Sequence, residues 1–336
     1  MTRGHMTRGQ FTFSKKVNCP RSGNLLSCTA ALLLLAASRA FGDEGGTSFW
    51  LPGQMGSLSA APVEAGWSLP LVWYHTESDA GGSKEFEIGG RITVGLQADA
   101  DLLILAPTYV FRTPVAGAQA SVGVSAVVGG VNVDIDATLT GPHGGSFSGS
   151  ATDGIEDIGD LFPTASLKWN RGAHNFMLYS MAGVPVGAYD KDRLANLGTN
   201  HWSIDGGVGY TYLDASAGHE FSAVLGVTHN FENNATDYQN GEDGHLDWAA
   251  SQFLSEHWHV GLVGYFYQQL DGDSGSGATL GDFESRVNGI GPQVGYFTTI
   301  CGQTWYANLK GIHEFDAKNR PEGWNLWLTL AIPLGP

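Results

Sequence analysis

Residues 202–212 read Trp202-Ser203-Ile204-Asp205-Gly206-Gly207-Val208-Gly209-Tyr210-Thr211-Tyr212. Bulky apolar side chains recur at Trp202, Ile204, Val208, Tyr210 and Tyr212; His201, Ser203, Asp205, Gly209 and Thr211 fall between them. Successive side chains of an extended chain point to opposite faces, so this spacing predicts a strand with one apolar and one polar face. The same period returns along the chain. Phe86, Ile88, Ile92, Val94 and Leu96 alternate with Glu87, Arg91, Thr93 and Gln97. Val131, Val133, Ile135, Ala137 and Leu139 alternate with Asn132, Asp134, Asp136 and Thr138. At the C-terminus Trp324, Leu326, Leu328, Leu330 and Ile332 share one side, with Asn325 and Thr329 on the other.

A soluble β-sandwich also alternates. Three features favour a transmembrane barrel instead. The segments reach about ten residues, the length a tilted spanning strand needs. Aromatic residues gather near segment ends, at Trp73, Trp169, Trp202, Tyr212, Trp258, Trp305 and Trp324, where interfacial girdles form. The connections alternate in length. Long polar ones fall at 78–84, 140–157, 189–199, 232–243, 271–281 and 316–321; short ones fall near 98–101, 171–173, 214–217, 256–257 and 300–302. The parity of these connections requires one or three strands within 101–139. Three are expected, 102–112, 118–128 and 131–139, turning at Thr113-Pro114 and Gly129-Gly130. The fold expected is therefore all-β, an antiparallel transmembrane β-barrel of 14 strands, with 12 as the alternative. Bacterial single-chain barrels have even counts.

Composition narrows the function. Charged residues are 15% of the 336, against about 25% in an average soluble protein. Acids outnumber bases 33 to 17, a net charge of −16. Nucleic-acid binding needs clustered Lys and Arg, so no nucleic-acid partner is expected. Residues 1–42 hold Arg3, Arg8, Lys15, Lys16, Arg21 and Arg39 and no acid. An apolar run, Ala30–Ala37, and the small residues Ser38, Ala40 and Gly42 follow. That order is a secretory signal peptide, and the run is shorter than the roughly 20 residues of a membrane anchor. Cys19 and Cys28 fall in this segment. Cys301 remains alone, so the exported part has no internal disulfide, and closure of the sheet would hold it instead. The expected organisation is 1–42 signal peptide, 43–62 N-terminal segment and 63–336 barrel, placed in the outer membrane of a Gram-negative bacterium.

Several stretches in order carry a family resemblance. They are Phe49-Trp50-Leu51-Pro52-Gly53, Gly159-Asp160-Leu161, His174-Asn175-Phe176-Met177 and Pro185-Val186-Gly187-Ala188-Tyr189-Asp190. Further along come Thr236-Asp237-Tyr238-Gln239-Asn240-Gly241, Gly289-Ile290-Gly291-Pro292-Gln293 and Glu314–Arg320 running into Gly323-Trp324-Asn325. From about residue 47 onward the chain resembles the family named for the MetA pathway of phenol degradation, the SphA-like outer-membrane channels. The resemblance implies uptake of hydrophobic compounds that feed aromatic catabolism. It also implies outer-membrane lipid and the barrel-assembly machinery as partners. The chain departs from the usual assembly signal in ending Ile332-Pro333-Leu334-Gly335-Pro336 rather than on an aromatic.

If the apolar faces meet lipid, the opposite faces meet the lumen. Glu87, Arg91, Gln97, Asp134, Asp136, Thr164, Ser166, Lys168, Asp205, Asn308, Lys310 and Glu314 are then inward, and both charge signs are present. Met177, Tyr179, Tyr265, Tyr267 and Trp327 also fall on inward faces. Aromatic and Met walls with a few polar groups suit a small apolar or aromatic solute, though such side chains can also simply fill a narrow barrel. Residues 43–62 carry Phe49, Trp50 and Leu51, which make this segment a candidate plug; a periplasmic tail is the alternative.

Catalytic readings are weaker. Gly145-Ser146-Phe147-Ser148-Gly149 imitates a nucleophile elbow without the strand–turn–helix context. Asp237, Glu242, Asp243, His245 and Asp247 are read as loop charge rather than a cation site. Asp271–Asp282 lacks the Gly and bidentate Glu of a calcium loop. His257 and His259 share a strand face but are read as interfacial. No enzyme, metal or cofactor is expected. A structural or adhesive barrel, and a barrel hydrolase, are the rival functions.

Overall fold

The computed structural model describes residue 44 and residues 48–80, 85–88, 91–140, 146–279 and 284–335. The signal peptide expected at 1–42 lies outside the described residues. Fifteen strands are present among them: β1 (Gly66–Asp79), β2 (Glu85–Ile88), β3 (Arg91–Val94), β4 (Leu96–Leu105), β5 (Thr108–Val110), β6 (Gln119–Thr140), β7 (Ser146–Arg171), β8 (His174–Gly183), β9 (Ser203–Asp214), β10 (His219–Asn230), β11 (Asp243–Phe253), β12 (Trp258–Gln269), β13 (Arg286–Ile300), β14 (Gln303–Lys318) and β15 (Glu322–Gly335). No helix among these residues is long and apolar enough to cross a membrane.

Twelve of the strands form one closed antiparallel barrel in chain order, sealed by β15 against β1 from Trp67↔Gly335 to Asp79↔Glu322. β5 is an extra short strand that continues β4 beyond Ala106-Pro107 and pairs with both β1 and β6. Pro107 has no N–H to give, which is why the ladder is interrupted there. Closure leaves no open edge, as hydrocarbon demands. Exposed Trp202, Ile204, Val208, Phe221, Leu225, Val227, Leu262 and Phe266 make an outward apolar belt on β9, β10 and β12 and the residue before β9. Buried Ser203, Asp205, Thr211, Glu220, Ser222 and Thr228 face the lumen between them. Long connections gather at one rim and short turns at the other; by the usual arrangement the long-loop rim is the outer one.

The count of 14 is corrected to twelve. The expected turns at 98–101 and Gly129-Gly130 do not exist: β4 runs through the first and the 22-residue β6 through the second. Gly129 is strand interior because β4 and β6 touch there; a Cβ would stand 2.1 Å from the Asp101 carbonyl oxygen. The single strand expected across 86–96 is instead a separate hairpin, β2 with β3, outside the barrel sheet. The side chains of Glu87 and Arg91 lie outside the described residues. The loop expected at 140–157 is largely strand, since β7 spans 26 residues.

β6 and β7 are about twice the roughly ten residues that cross a bilayer, so their tips stand clear of it. There the sense of alternation inverts. Val133 and Ile135 are buried against Leu96, Ala80 and Ala195. Asp136 is exposed, and Asp134 is half-buried beside exposed Thr152, which donates to its Oδ1. Asp134 and Asp136, expected inward, therefore face outward. Within lipid the apolar face turns out; above it, water surrounds the strand and the apolar face turns in.

Candidate transport site

Two kinds of wall surround the lumen. On the β9–β14 side many inward residues are polar and buried, beside an apolar cluster of Ala249, Val263, Tyr265, Tyr267, Val287 and Ile312, and the segment Ser48–Ala61 lies on this wall. Asp247 of β11 accepts from the N–H of Gly53 at 3.0 Å and of Met55 at 2.9 Å. Lys310 of β14 donates to the carbonyls of Gly53, Gln54 and Met55 and sits 4.9 Å from the Trp327 ring centre. Lower down, Glu220 of β10 accepts from Leu58 N–H at 2.9 Å and from the Ser57 hydroxyl at 2.7 Å. Ala60 N–H donates to Thr211 at 3.0 Å, and Lys168 of β7 donates to the Ala61 carbonyl at 3.2 Å. At the outer rim, Glu44 N–H donates to Asn240 at 3.0 Å and its carboxylate accepts from Asn233 at 2.9 Å. At the opposite rim Val63 and the Gln119 amide exchange two hydrogen bonds, at 2.9 and 2.7 Å. The segment thus descends from the outer rim to the inner one.

Local sequence explains how it fits. Gly53 adopts φ +85°, and a Cβ there would meet Ile312 and Tyr265 at 2.9 Å, so the turn needs glycine. Trp50, wholly buried, stacks on His245 with centroids 3.6 Å apart. His245 Nε2 lies 2.9 Å from Asp205 Oδ2, which also accepts from Thr228 at 2.7 Å. Phe49 packs 5.6 Å from Phe162 on the other side.

On the β1–β4–β6–β7 side the wall is aliphatic. Leu96, Ala98, Ala100, Leu102 and Ile104 of β4, Val127 and Val131 of β6 and Phe162 of β7 surround a cavity of about 260 Å³. Phe49, Leu51 and Pro52 of the N-terminal segment also line it, and Met181 completes this apolar lining. Asn196, Leu197 and Thr199, from the connection between β8 and β9, line it too, as do Arg320 and Pro321 between β14 and β15. Asp160 ties that first connection down, accepting from the N–H of Gly187 at 2.8 Å and of Thr199 at 2.8 Å. Farther out, Asp153 accepts from Arg193 at 3.0 Å; the guanidinium holds its carboxyl down at about 2.

The sequence-predicted residues divide between these walls. Phe49, Leu51 and Glu314 line the cavity. Met177 and Tyr179 are inward but pack with Trp50, not around the cavity. Tyr265 and Tyr267 form a separate cluster with Ile312, and Trp327 packs on Tyr74 at 4.4 Å. Lys168, Asp205 and Lys310 meet the N-terminal segment or its Trp50 partner, as above. The β4 wall was missed because Ala98-Asp99-Ala100-Asp101 reads as a turn. Its signal was the strict alternation of Leu96, Ala98, Ala100 and Leu102 with Gln97, Asp99 and Asp101. Asp160 stands out in the sequence only through the family resemblance of Gly159-Asp160-Leu161. Among the described residues no three His, Cys, Asp or Glu side chains are placed to hold a metal ion. His257 and His259 separate, the first to the Phe297 carbonyl at 3.0 Å and the second to the Tyr306 hydroxyl at 3.0 Å.

Among solved structures the chain is similar to the COG4313 outer membrane channel from Pseudomonas putida F1. The TM-score is 0.63 at 15% identity, covering 84% of this chain and 99% of that one. It is also similar to a Pseudomonas aeruginosa FadL homologue at TM-score 0.44 and 10% identity, covering 86% of this chain and 96% of that one. No curated protein matches the chain. The first likeness identifies the fold as that of an outer-membrane channel barrel. The family model described as "Putative MetA-pathway of phenol degradation" matches residues 69–330, a span from β1 into β15, and the chain belongs to that family.

Proposed function

We propose that this outer-membrane barrel passively admits small hydrophobic molecules, aromatic ones among them, and that residues 43–62 act as the plug that gates their passage. The observation that carries the reading is the aliphatic cavity of about 260 Å³ beside the N-terminal segment. Apolar cavities of about 150 Å³ already take up benzene, so this one has room for a one- or two-ring solute. The mechanism needs no chemistry. A solute enters from the outer rim, leaves water for the β4–β6 wall, and waits above Phe49 and Leu51 until the segment moves. Consumption inside the cell maintains the gradient. Export through the signal peptide at 1–42 and insertion by the barrel-assembly machinery belong to the same reading.

The test is entry of labelled toluene and of a labelled sugar into cells with intact outer membranes, with and without the protein. Faster entry of toluene alone supports the reading. Equal acceleration of both makes the barrel a general water-filled pore, and no change in either removes the transport role.

A further inference from the structure

The outer rim is roofed in two different ways. On the β9–β13 side the β10–β11 and β12–β13 connections are stitched to each other, with Gln239 and Ser274 exchanging backbone hydrogen bonds at 2.9 Å. The buried Tyr238 hydroxyl donates to Asp273, and the Gln269 amide donates to the same carboxylate at 2.5 Å. Buried Asn230 donates to the Gly241 carbonyl at 2.9 Å and to Asp243 at 2.8 Å.

Over the cavity the roof is the β8–β9 connection, and its middle is a closed lobe. The Ala188 carbonyl accepts from Leu197 N–H at 3.2 Å and Gly198 N–H at 3.0 Å, so residues 188–198 form a loop whose ends meet. Within it the Asp190 backbone exchanges two hydrogen bonds with the Asn196 amide, at 2.8 and 3.2 Å, and its carbonyl accepts from Arg193 N–H at 3.0 Å. The stem is glycine. A Cβ on Gly198 would stand 2.8 Å from the Gly187 carbonyl carbon, and one on Gly187 2.6 Å from that of Gly159. Asp160 pins both sides of this stem through Gly187 and Thr199. The far side of the lobe rests on the β6–β7 hairpin, clear of the bilayer. There Ala195, wholly buried, and Leu194 cover the apolar face made by Leu96, Val133 and Ile135. Arg193 on Asp153, both half-buried, closes the contact. Leu96 also lines the cavity, as do Ala98 and Val131 packed beside it, so one apolar surface runs from beneath the lobe to the β4–β6 wall.

We infer that residues 188–198 are the entrance lid of the cavity. The lobe turns about its glycine stem, Arg193 leaves Asp153, and an apolar solute takes the place of Leu194 and Ala195 on the hairpin before sliding inward. This entrance rests on the uptake reading above and adds to it the port and the first docking place. Opening the lobe uncovers the apolar contacts of one leucine and one alanine and parts a clasp that lies partly in solvent, which costs little. Opening the β9–β13 roof would leave buried polar groups unmet. The lobe's internal hydrogen bonds survive the motion, so it moves as one body about small residues. The solute meanwhile passes from one apolar surface to the next without returning to water.

The experiment uses the full barrel with Cys301→Ser in lipid nanodiscs and reads the exchange of 4-fluorotoluene by ¹⁹F NMR. The signal counted is the part lost in Ala100→Phe, which fills the cavity. Asp153→Cys with Arg193→Cys is bridged by a two-carbon bis-methanethiosulfonate, which sets a covalent link where the ion pair stood. Exchange should slow by about tenfold or more while the bound fraction after equilibration stays at the native level. Thiol reduction, which leaves the clasp open, should return exchange to the native rate or above it. Asp153→Asn should speed exchange by roughly two- to fivefold at an unchanged bound fraction. Equal exchange in bridged and reduced protein would put the entrance elsewhere and overturn the inference. A bridge that lowers the bound fraction would overturn it too, since the lobe would then be wall and not lid. Failure of 4-fluorotoluene to bind the native barrel would instead strike the uptake reading, and the lid with it.

Discussion

The two sides of the lumen present opposite problems to the same N-terminal segment. On the β9–β14 side, Asp205, Glu220, His245, Asp247 and Lys310 are all nearly or fully buried. Buried charges must find partners: the backbone of Ser48–Ala61 supplies them for Glu220, Asp247 and Lys310, while Asp205 and His245 pair with each other beneath Trp50. On the β1–β7 side the residues around the cavity are mostly aliphatic and require nothing. An apolar hollow can stay dry and empty, whereas a polar one fills with protein or water. The cavity therefore falls on the aliphatic side. The lesson is that the segment's position follows from which wall needs hydrogen bonds, and the cavity is what that choice leaves over.

Breaking the polar side should give the largest effect. Asp247→Ala removes the acceptor of two N–H groups and leaves Lys310 as a buried ammonium on the far side of the same three residues. Removing one member of a buried charged set costs about 3–5 kcal/mol. The expected result in planar bilayers is a rise in single-channel ion conductance, or in open time, of tenfold or more. Deleting 48–61 should give the same phenotype. Unchanged conductance in both would show that the segment does not obstruct the path.

Breaking the other side should leave ions alone. Ala100→Phe projects a ring into the cavity opposite Val127 and Phe162. Toluene entry should fall at least tenfold while conductance in the same preparation stays at the native level. If both fall together, the two sides are one path and the contrast fails.

How much of this was legible in the sequence depends on where each strand sits relative to the lipid. Inside the belt, period two fixes the phase, and Trp202 out with Asp205 in, or Leu326 and Leu328 out with Asn325 in, follow directly from residue type. Asp134 and Asp136 broke the rule because β6 outgrows the bilayer, and one strand then obeys two solvents in turn. The strand count went astray at Gly129-Gly130 because a glycine pair signals a turn as readily as a close strand approach. The cavity was hidden for a related reason. Leu96 through Ile104 alternate with Asp99 and Asp101, and nothing local to that stretch says whether the acids face water outside or a channel inside.

Gly129→Ala sharpens that point. If Gly129 marked a turn, alanine would cost a few tenths of a kcal/mol. As strand interior, its Cβ would press on the Asp101 carbonyl at 2.1 Å, and β4 must shift away from β6. Overpacking of this kind costs about 1–3 kcal/mol. The urea midpoint of the barrel refolded in liposomes should drop accordingly, and the cavity wall at Leu102 should loosen with it.

The smallest effect concerns the connection that covers the aliphatic side. Arg193 reaches back to Asp153, whose carboxylate also accepts from Leu194 N–H at 3.0 Å and Ala195 N–H at 3.2 Å. Because the Asp153 carboxyl is depressed from 3.8 to about 2, this clasp is whole at and above pH 4 and is lost as pH falls through about 2. Exposed pairs contribute little against solvent screening, so the release is partial. Pepsin cleavage within 184–202 should be slow and flat from pH 4 to 3 and rise up to about fivefold, relative to a reference peptide, toward pH 2. Asp153→Asn should show the faster rate already at pH 4 and lose the pH step. A step that survives in Asp153→Asn would assign the release to another group, and the cover of the aliphatic side would then rest on Asp160 and the backbone bond from Ala188 N–H to the Ile158 carbonyl.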